Sequence, residues 1–156
     1  GFRDDWTVAD VDATFQYLAG LDVVDQNRIG ILGHCWGGRV AWLGASNNPK
    51  IKACGVFYGG RVNVAFADNG TPPIELAHQI QCPVLGIFGN DDQNPSPDLV
   101  NDYEAALTNA NVPREFHRYE GAGHGFQDHT NPDRYRQEQS EDAWGKTLTF
   151  LDKHLK

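Results

Sequence analysis

Cys35 stands in the segment Gly33-His34-Cys35-Trp36-Gly37-Gly38, a setting suited to a nucleophile. The run that precedes it reads as a strand and the run that follows reads as a helix. A side chain at such a sharp strand-to-helix turn is lifted above the carboxyl edge of a sheet, and flanking glycines leave room where a Cβ would clash. The helix aims its first N–H groups and its positive dipole end at the sulfur, and the backbone N–H of Trp36 is positioned to donate to an oxyanion. The same pattern also describes a glycine-rich turn holding an inert, buried cysteine. A dinucleotide-binding turn fits poorly, because Cys35 replaces the second glycine of G-x-G-x-x-G.

A thiol nucleophile needs a base for its proton, and the base needs a carboxylate that fixes its tautomer. Both follow in chain order. Gly89-Asn90-Asp91-Asp92-Gln93-Asn94-Pro95 places two carboxylates after a third strand, and Gly121-Ala122-Gly123-His124-Gly125-Phe126 places a histidine after a fourth. Nucleophile, acid, histidine is the order of α/β-hydrolases. Asp91 and Asp92 could equally serve the turn itself, and His124 could be a loop histidine. His34, His78, His117, His129 and His154 fall on helices, within a strand, or away from a glycine-flexed strand end. Cys54 and Cys82 read as structural.

The elements that must carry these groups alternate. Thr7 and Asp10 suggest a capping box opening a helix with Val8, Val11, Phe15 and Leu18 on one face, stopped by Gly20. Residues 28–32 (RIGIL) and 51–57 (IKACGVF) read as short buried strands around a helix that starts near Arg39. VLGIFG after Pro83 is a third strand, Ser96-Pro97 opens a helix through Leu99, Tyr103, Ala106 and Ala110, and REFHRY is a fourth strand. Asn131-Pro132 suggests a further helix start, with Trp144, Leu148, Leu151 and Leu155 as a stripe packing on the sheet. Residues 61–82 show little periodicity and read as an excursion that borders a site or simply connects. The pattern predicts an α/β fold, an open and mainly parallel sheet with helices on both faces, as one domain over residues 1–156.

Composition narrows the functions available. The 156 residues carry 13 Lys+Arg against 21 Asp+Glu, a net charge of −8, with no basic stripe to neutralise phosphates, which argues against nucleic acid as a partner. No apolar run is long enough for a membrane span. Three cysteines without C-x-x-C spacing suggest neither a disulfide framework nor a zinc site, and point to a reducing, cytoplasmic location. The chain lacks methionine and opens on Gly1, so it is expected not to be the complete product of translation.

Taken together, GHCWGG, FGNDDQNP and GAGHGF, in that order, closely resemble the dienelactone hydrolase (carboxymethylenebutenolidase) family, a cysteine-nucleophile branch of the α/β-hydrolase fold. VFYGG and the C-terminal EDAWGKTLTFLDKHL agree, and the resemblance runs from about Thr7 to Leu155. It implies Cys35 as nucleophile, His124 as acid and base, and Asp92, three residues after Gly89, as the triad carboxylate. It implies hydrolysis of a small ester or lactone without metal or organic cofactor. The chain resembles only the carboxyl-terminal portion, lacking the earlier strands and the loop that gives a second oxyanion donor. It also has Asp128 where the family places an arginine four residues after its histidine. A sheet without the earlier strands leaves the nucleophile strand as an open edge, so a homo-oligomer or a companion fragment is expected to cover it. The alternative is a catalytically silent α/β-hydrolase fragment acting as an assembly or binding module.

Overall fold

A computed structural model describes residues 2–156. Its four strands, β1 (Ile31–His34), β2 (Cys54–Phe57), β3 (Val84–Gly89) and β4 (Arg114–Tyr119), lie side by side in chain order, every neighbouring pair parallel. Ile31 stands opposite Cys54, Cys54 opposite Val84, and Val84 opposite Arg114. All four strands therefore finish at one edge of the sheet.

Alternation along the strands divides the interior in two. Cys54, Val56, Val84 and Phe88 face a core shared with Phe15, Trp42, Tyr103 and Leu107, which belong to helices α1 (Asp4–Ala19), α2 (Trp36–Asn47) and α3 (Pro97–Asn109). Phe57, Leu85 and Ile87 face a second core with Phe126, Ala143 and Phe150, the last two from α4 (Gln137–Leu155). This is the open parallel α/β sheet with helices on both faces that the periodicity predicts. Among the described residues no helix is long and apolar enough to cross a membrane.

Several boundaries differ from the sequence reading, each for a local reason. Helix α1 starts at Asp4 with no side-chain cap, and Thr7 lies inside it, its hydroxyl donating to the Arg3 carbonyl at 2.9 Å. Tertiary anchoring replaces the capping box. The Asp4 carboxylate accepts from Arg39 Nη2 at 2.6 and 2.8 Å and from the Phe66 N–H at 2.7 Å. Strands β1 and β2 begin at Ile31 and Cys54 rather than Arg28 and Ile51, although the Lys52 N–H still bonds the Ile29 carbonyl at 2.9 Å ahead of the ladder. Residues 61–82 contain a 3₁₀ segment, Pro73–Gln79, whose Pro73 carbonyl accepts from the buried Trp42 indole at 2.7 Å. Ser96 caps α3 as expected, accepting from the Leu99 N–H at 3.3 Å.

The C-terminal helix departs most. Asn131-Pro132 forms a turn, with Asn131 Oδ1 accepting from the Asp133 N–H, and α4 starts five residues after Pro132, at Gln137. Its sheet-facing residues are Ser140, Ala143, Thr147 and Phe150, while Trp144 and Leu148 are 46% and 50% exposed. Leu151 and Leu155 pack only partly. The buried face of α4 is thus mostly small side chains, and Thr147 can be buried because its hydroxyl donates to the Ala143 carbonyl. Among the described residues β1 pairs with β2 alone. Beside it lies a cavity of about 350 Å³ lined by Val11, Phe15, Leu18, Ile31 and Ile51 among others.

Candidate active site

The turn after β1 lifts one residue out of the chain's regular path. Cys35 has φ 57° and ψ −122°, a conformation uncommon for a residue with a Cβ. Its N–H extends the ladder to the Phe57 carbonyl at 2.9 Å, and its own carbonyl receives the Gly38 N–H at 3.0 Å. The turn is tight enough that a Cβ on Gly33 would overlap the Gly37 backbone, and one on Gly38 would come within 2.8 Å of Gly59 Cα. Glycine at both positions is thus a packing requirement. Cys35 is exposed, whereas Cys54 and Cys82 are buried. Burial pushes the Cys54 thiol up and the Cys82 thiol up to about 11, so both are poor nucleophiles at neutral pH.

Beyond β3 the ladder runs on, with the Asn90 N–H reaching the Tyr119 carbonyl at 2.9 Å and the Asp91 N–H the Ala122 carbonyl at 3.0 Å. This directs Asp91 outward and Asp92 inward: Asp91 is exposed and the Asp92 side chain is 2% exposed. One Asp92 oxygen, Oδ1, accepts the Asn94 N–H at 2.8 Å. The other, Oδ2, lies 2.9 Å from His124 Nδ1, and His124 Nε2 lies 3.0 Å from Cys35 Sγ. Sulfur, imidazole and carboxylate thus form a continuous hydrogen-bonded row drawn from three separate strand ends. The Asp92 bond is the main reason that the His124 imidazole rises from 6.5 to about 9, with burial opposing it and the Cys35 contact adding to it. Trp36 opens α2, where helix N–H groups have no partner within the helix.

Around the row the chain forms a cleft of about 190 Å³ lined by Cys35, Trp36, Gly60, Arg61, Asn94 and His124. Tyr58 supports the imidazole edge-on, with ring centroids 5.3 Å apart, and its phenol is pushed up by burial and by the neighbouring Cys35, Asp128 and Asp92 charges. Tyr58, Arg61 and Asn94 are not singled out by residue type or spacing. The available signal was Tyr58-Gly59-Gly60 at the end of β2, since any residue there faces the same sheet edge as Cys35. The other histidines stand apart from the row: His34 stacks on Phe57 at 4.3 Å, His78 bonds the Glu75 carbonyl, and His117 bonds Glu115.

Comparison with known proteins places this arrangement. A family model described as the dienelactone hydrolase family matches residues 2–155. The chain belongs to the dienelactone hydrolase family. A family relative from Methylorubrum extorquens AM1, named as a carboxymethylenebutenolidase, is 35% identical over 141 residues, covering 90% of this chain and 48% of its own length. One of the same name from Escherichia coli K12 is 32% identical over 148 residues, covering 89% of this chain and 54% of its own. The crystal structure named for a dienelactone hydrolase from Klebsiella pneumoniae superposes with a TM-score of 0.89 at 32% identity, over 97% of this chain and 62% of that one. The chain spans about half the length of the curated relatives that it matches, and the fold is a partial α/β-hydrolase fold within a hydrolase family.

Proposed function

We propose that this dienelactone hydrolase-family chain hydrolyses ester or lactone bonds through a Cys-His-Asp triad of Cys35, His124 and Asp92. The observation that carries the reading is the row itself: His124 bridges Asp92 at 2.9 Å and Cys35 at 3.0 Å, with partners 32 and 89 residues away in sequence. Fortuitous contact between exposed loop residues does not require a buried carboxylate behind the imidazole.

In the reaction, Cys35 Sγ attacks the carbonyl carbon as the thiolate, its proton carried by His124 Nε2, and the carbonyl oxygen becomes an oxyanion held by the Trp36 N–H. Asp92 supports the imidazolium so formed. Collapse of the tetrahedral adduct breaks the C–O bond, and His124 returns the proton to the departing oxygen, leaving a thioester on Cys35. Water then attacks the thioester, again giving its proton to His124. The acid leaves, and the thiol is restored. One oxyanion donor is worth about 10²- to 10³-fold in rate, so a site relying on Trp36 alone is expected to be slow but active.

Hydrolysis of a 4-nitrophenyl ester tests this reading. The Cys35→Ala variant should lose activity by on the order of 10³-fold or more, the scale on which a covalent nucleophile is missed. Mass spectrometry of the quenched parent should show an acyl adduct on the peptide that contains Cys35. Turnover undiminished in Cys35→Ala would remove the sulfur from the mechanism.

A further inference from the structure

Tyr58 packs on the face of the sheet opposite to the one that regular alternation would give it. In β2, Cys54 and Val56 face the core shared with α1, α2 and α3, and Phe57 faces the core shared with α4. Residue 58 should therefore return to the first. It joins Phe57, Phe126 and Phe150 in the second instead. The backbone achieves this with φ 40° at Tyr58, a conformation that costs energy for an aromatic residue. Both sides of the distortion are held. The Tyr58 N–H still reaches the Ile87 carbonyl at 2.8 Å, and the Gly59 carbonyl accepts from the buried Tyr103 hydroxyl at 2.6 Å. Strain kept at one residue and anchored on either side points to a use for the place its side chain reaches.

That place is the flank of the imidazole. Tyr58 is 4% exposed, and its ring centroid lies 5.3 Å from that of His124, with 65° between the planes and Phe126 packed behind it. His124 stands between Gly123 and Gly125, the latter at φ 71°, so the local chain restrains it little. Its bonds at Nδ1 to Asp92 and at Nε2 to Cys35 fix a line through the ring but not its plane. The N–H directions diverge from that line, so rotation about it weakens both bonds together. Among the described residues, Tyr58 is the aromatic side chain packed on this ring. The ionisable neighbours of Tyr58 are Cys35, Asp92 and Asp128. Burial lowers His34, 5.8 Å away, and pushes the Tyr58 phenol up, so neither carries charge at neutral pH.

We propose that Tyr58 is a positioning residue: its ring is the third point of contact, setting the plane of the His124 imidazole so that Asp92 and Cys35 are engaged at once. This rests on the triad reading above, and the two are tested separately. Alkylation of Cys35 by iodoacetamide as a function of pH, read on the Cys35 peptide by mass spectrometry, needs no turnover. An imidazolium beside the sulfur brings alkylation in below the ordinary thiol value of about 8.5. In Tyr58→Ala the onset should move up toward that value, and the rate at neutral pH should fall about three- to tenfold, what one aromatic pair is worth. Tyr58→Leu, which fills the core without a flat face, should move it the same way. Tyr58→Phe keeps the ring and should restore the onset of the parent, and kcat/KM for a 4-nitrophenyl ester should follow the same order. Buried Cys54 and Cys82 report on folding, since a variant that has lost its packing would label there too. An onset unmoved in both Tyr58→Ala and Tyr58→Leu, or moved as far in Tyr58→Phe, overturns the role of the ring and leaves the nucleophile untouched. Hydrolysis that survives Cys35→Ala overturns the hydrolase reading and leaves the alkylation result standing.

Discussion

His124 is held from two sides, by a carboxylate at Nδ1 and a sulfur at Nε2, and the pH behaviour of the molecule follows. With its pKa at about 9 rather than 6.5, the folded chain binds this proton more tightly than the unfolded chain does. The stability so contributed is complete below about 6.5 and is lost as pH rises through about 9. Asp92→Asn removes the main cause of the shift. The urea midpoint of that variant should decline less across this window than the parent's, and two parallel declines would show that Asp92 does not hold the proton. The types and order of Cys35, His124 and a nearby carboxylate were legible in the sequence because glycines mark each strand end. The choice between Asp91 and Asp92 was not, on residue type alone: it depends on how far the β3–β4 ladder runs before the chain turns. Arg61 and Asn94 were invisible for a similar reason, since their importance lies in a contact across 33 residues.

At the level of elements, a buried ion pair joins α1 to α2, and its Arg39 also holds the carbonyl of Arg61 at the site. Arg39 is fully buried and meets Asp4 at 2.6 Å. Asp4→Ala would leave that guanidinium without its carboxylate, at a cost of about 3–5 kcal/mol, readable as a lower urea midpoint. It should also loosen Phe66, whose N–H bonds the same carboxylate. Strands β3 and β4 and the Ser96 cap were legible because their apolar runs and turn residues agree. The start of α1 was not, because a partner 35 residues away overrides a plausible local capping box. The face of α4 differs by one position: hydrophobicity pointed to Trp144 and Leu148, whereas the buried face holds Ala143 and Thr147.

Across the whole molecule, the parallel order and the two cores follow from alternating apolar runs, and that much the sequence made plain. What covers the free side of β1 is a matter of surfaces. Leu32 is 39% exposed, an apolar hollow lies on one side of the strand, and Trp144 lines a second hollow with His34 on the other. An uncovered strand with apolar flanks is prone to pairing, so the isolated chain is expected to associate, with a light-scattering mass above that of the monomer that rises with concentration. A monomeric mass throughout would count against this. The strand that leads to Cys35 is one of the two outer strands, tied to the sheet among the described residues through β2 alone, whereas β3, from which Asp92 issues, is gripped on both sides. Peripheral strands open at lower free energy than central ones. On warming, the sulfur should therefore drift away from its imidazole while most of the protein is still intact, so that chemical competence fades before the overall fold melts.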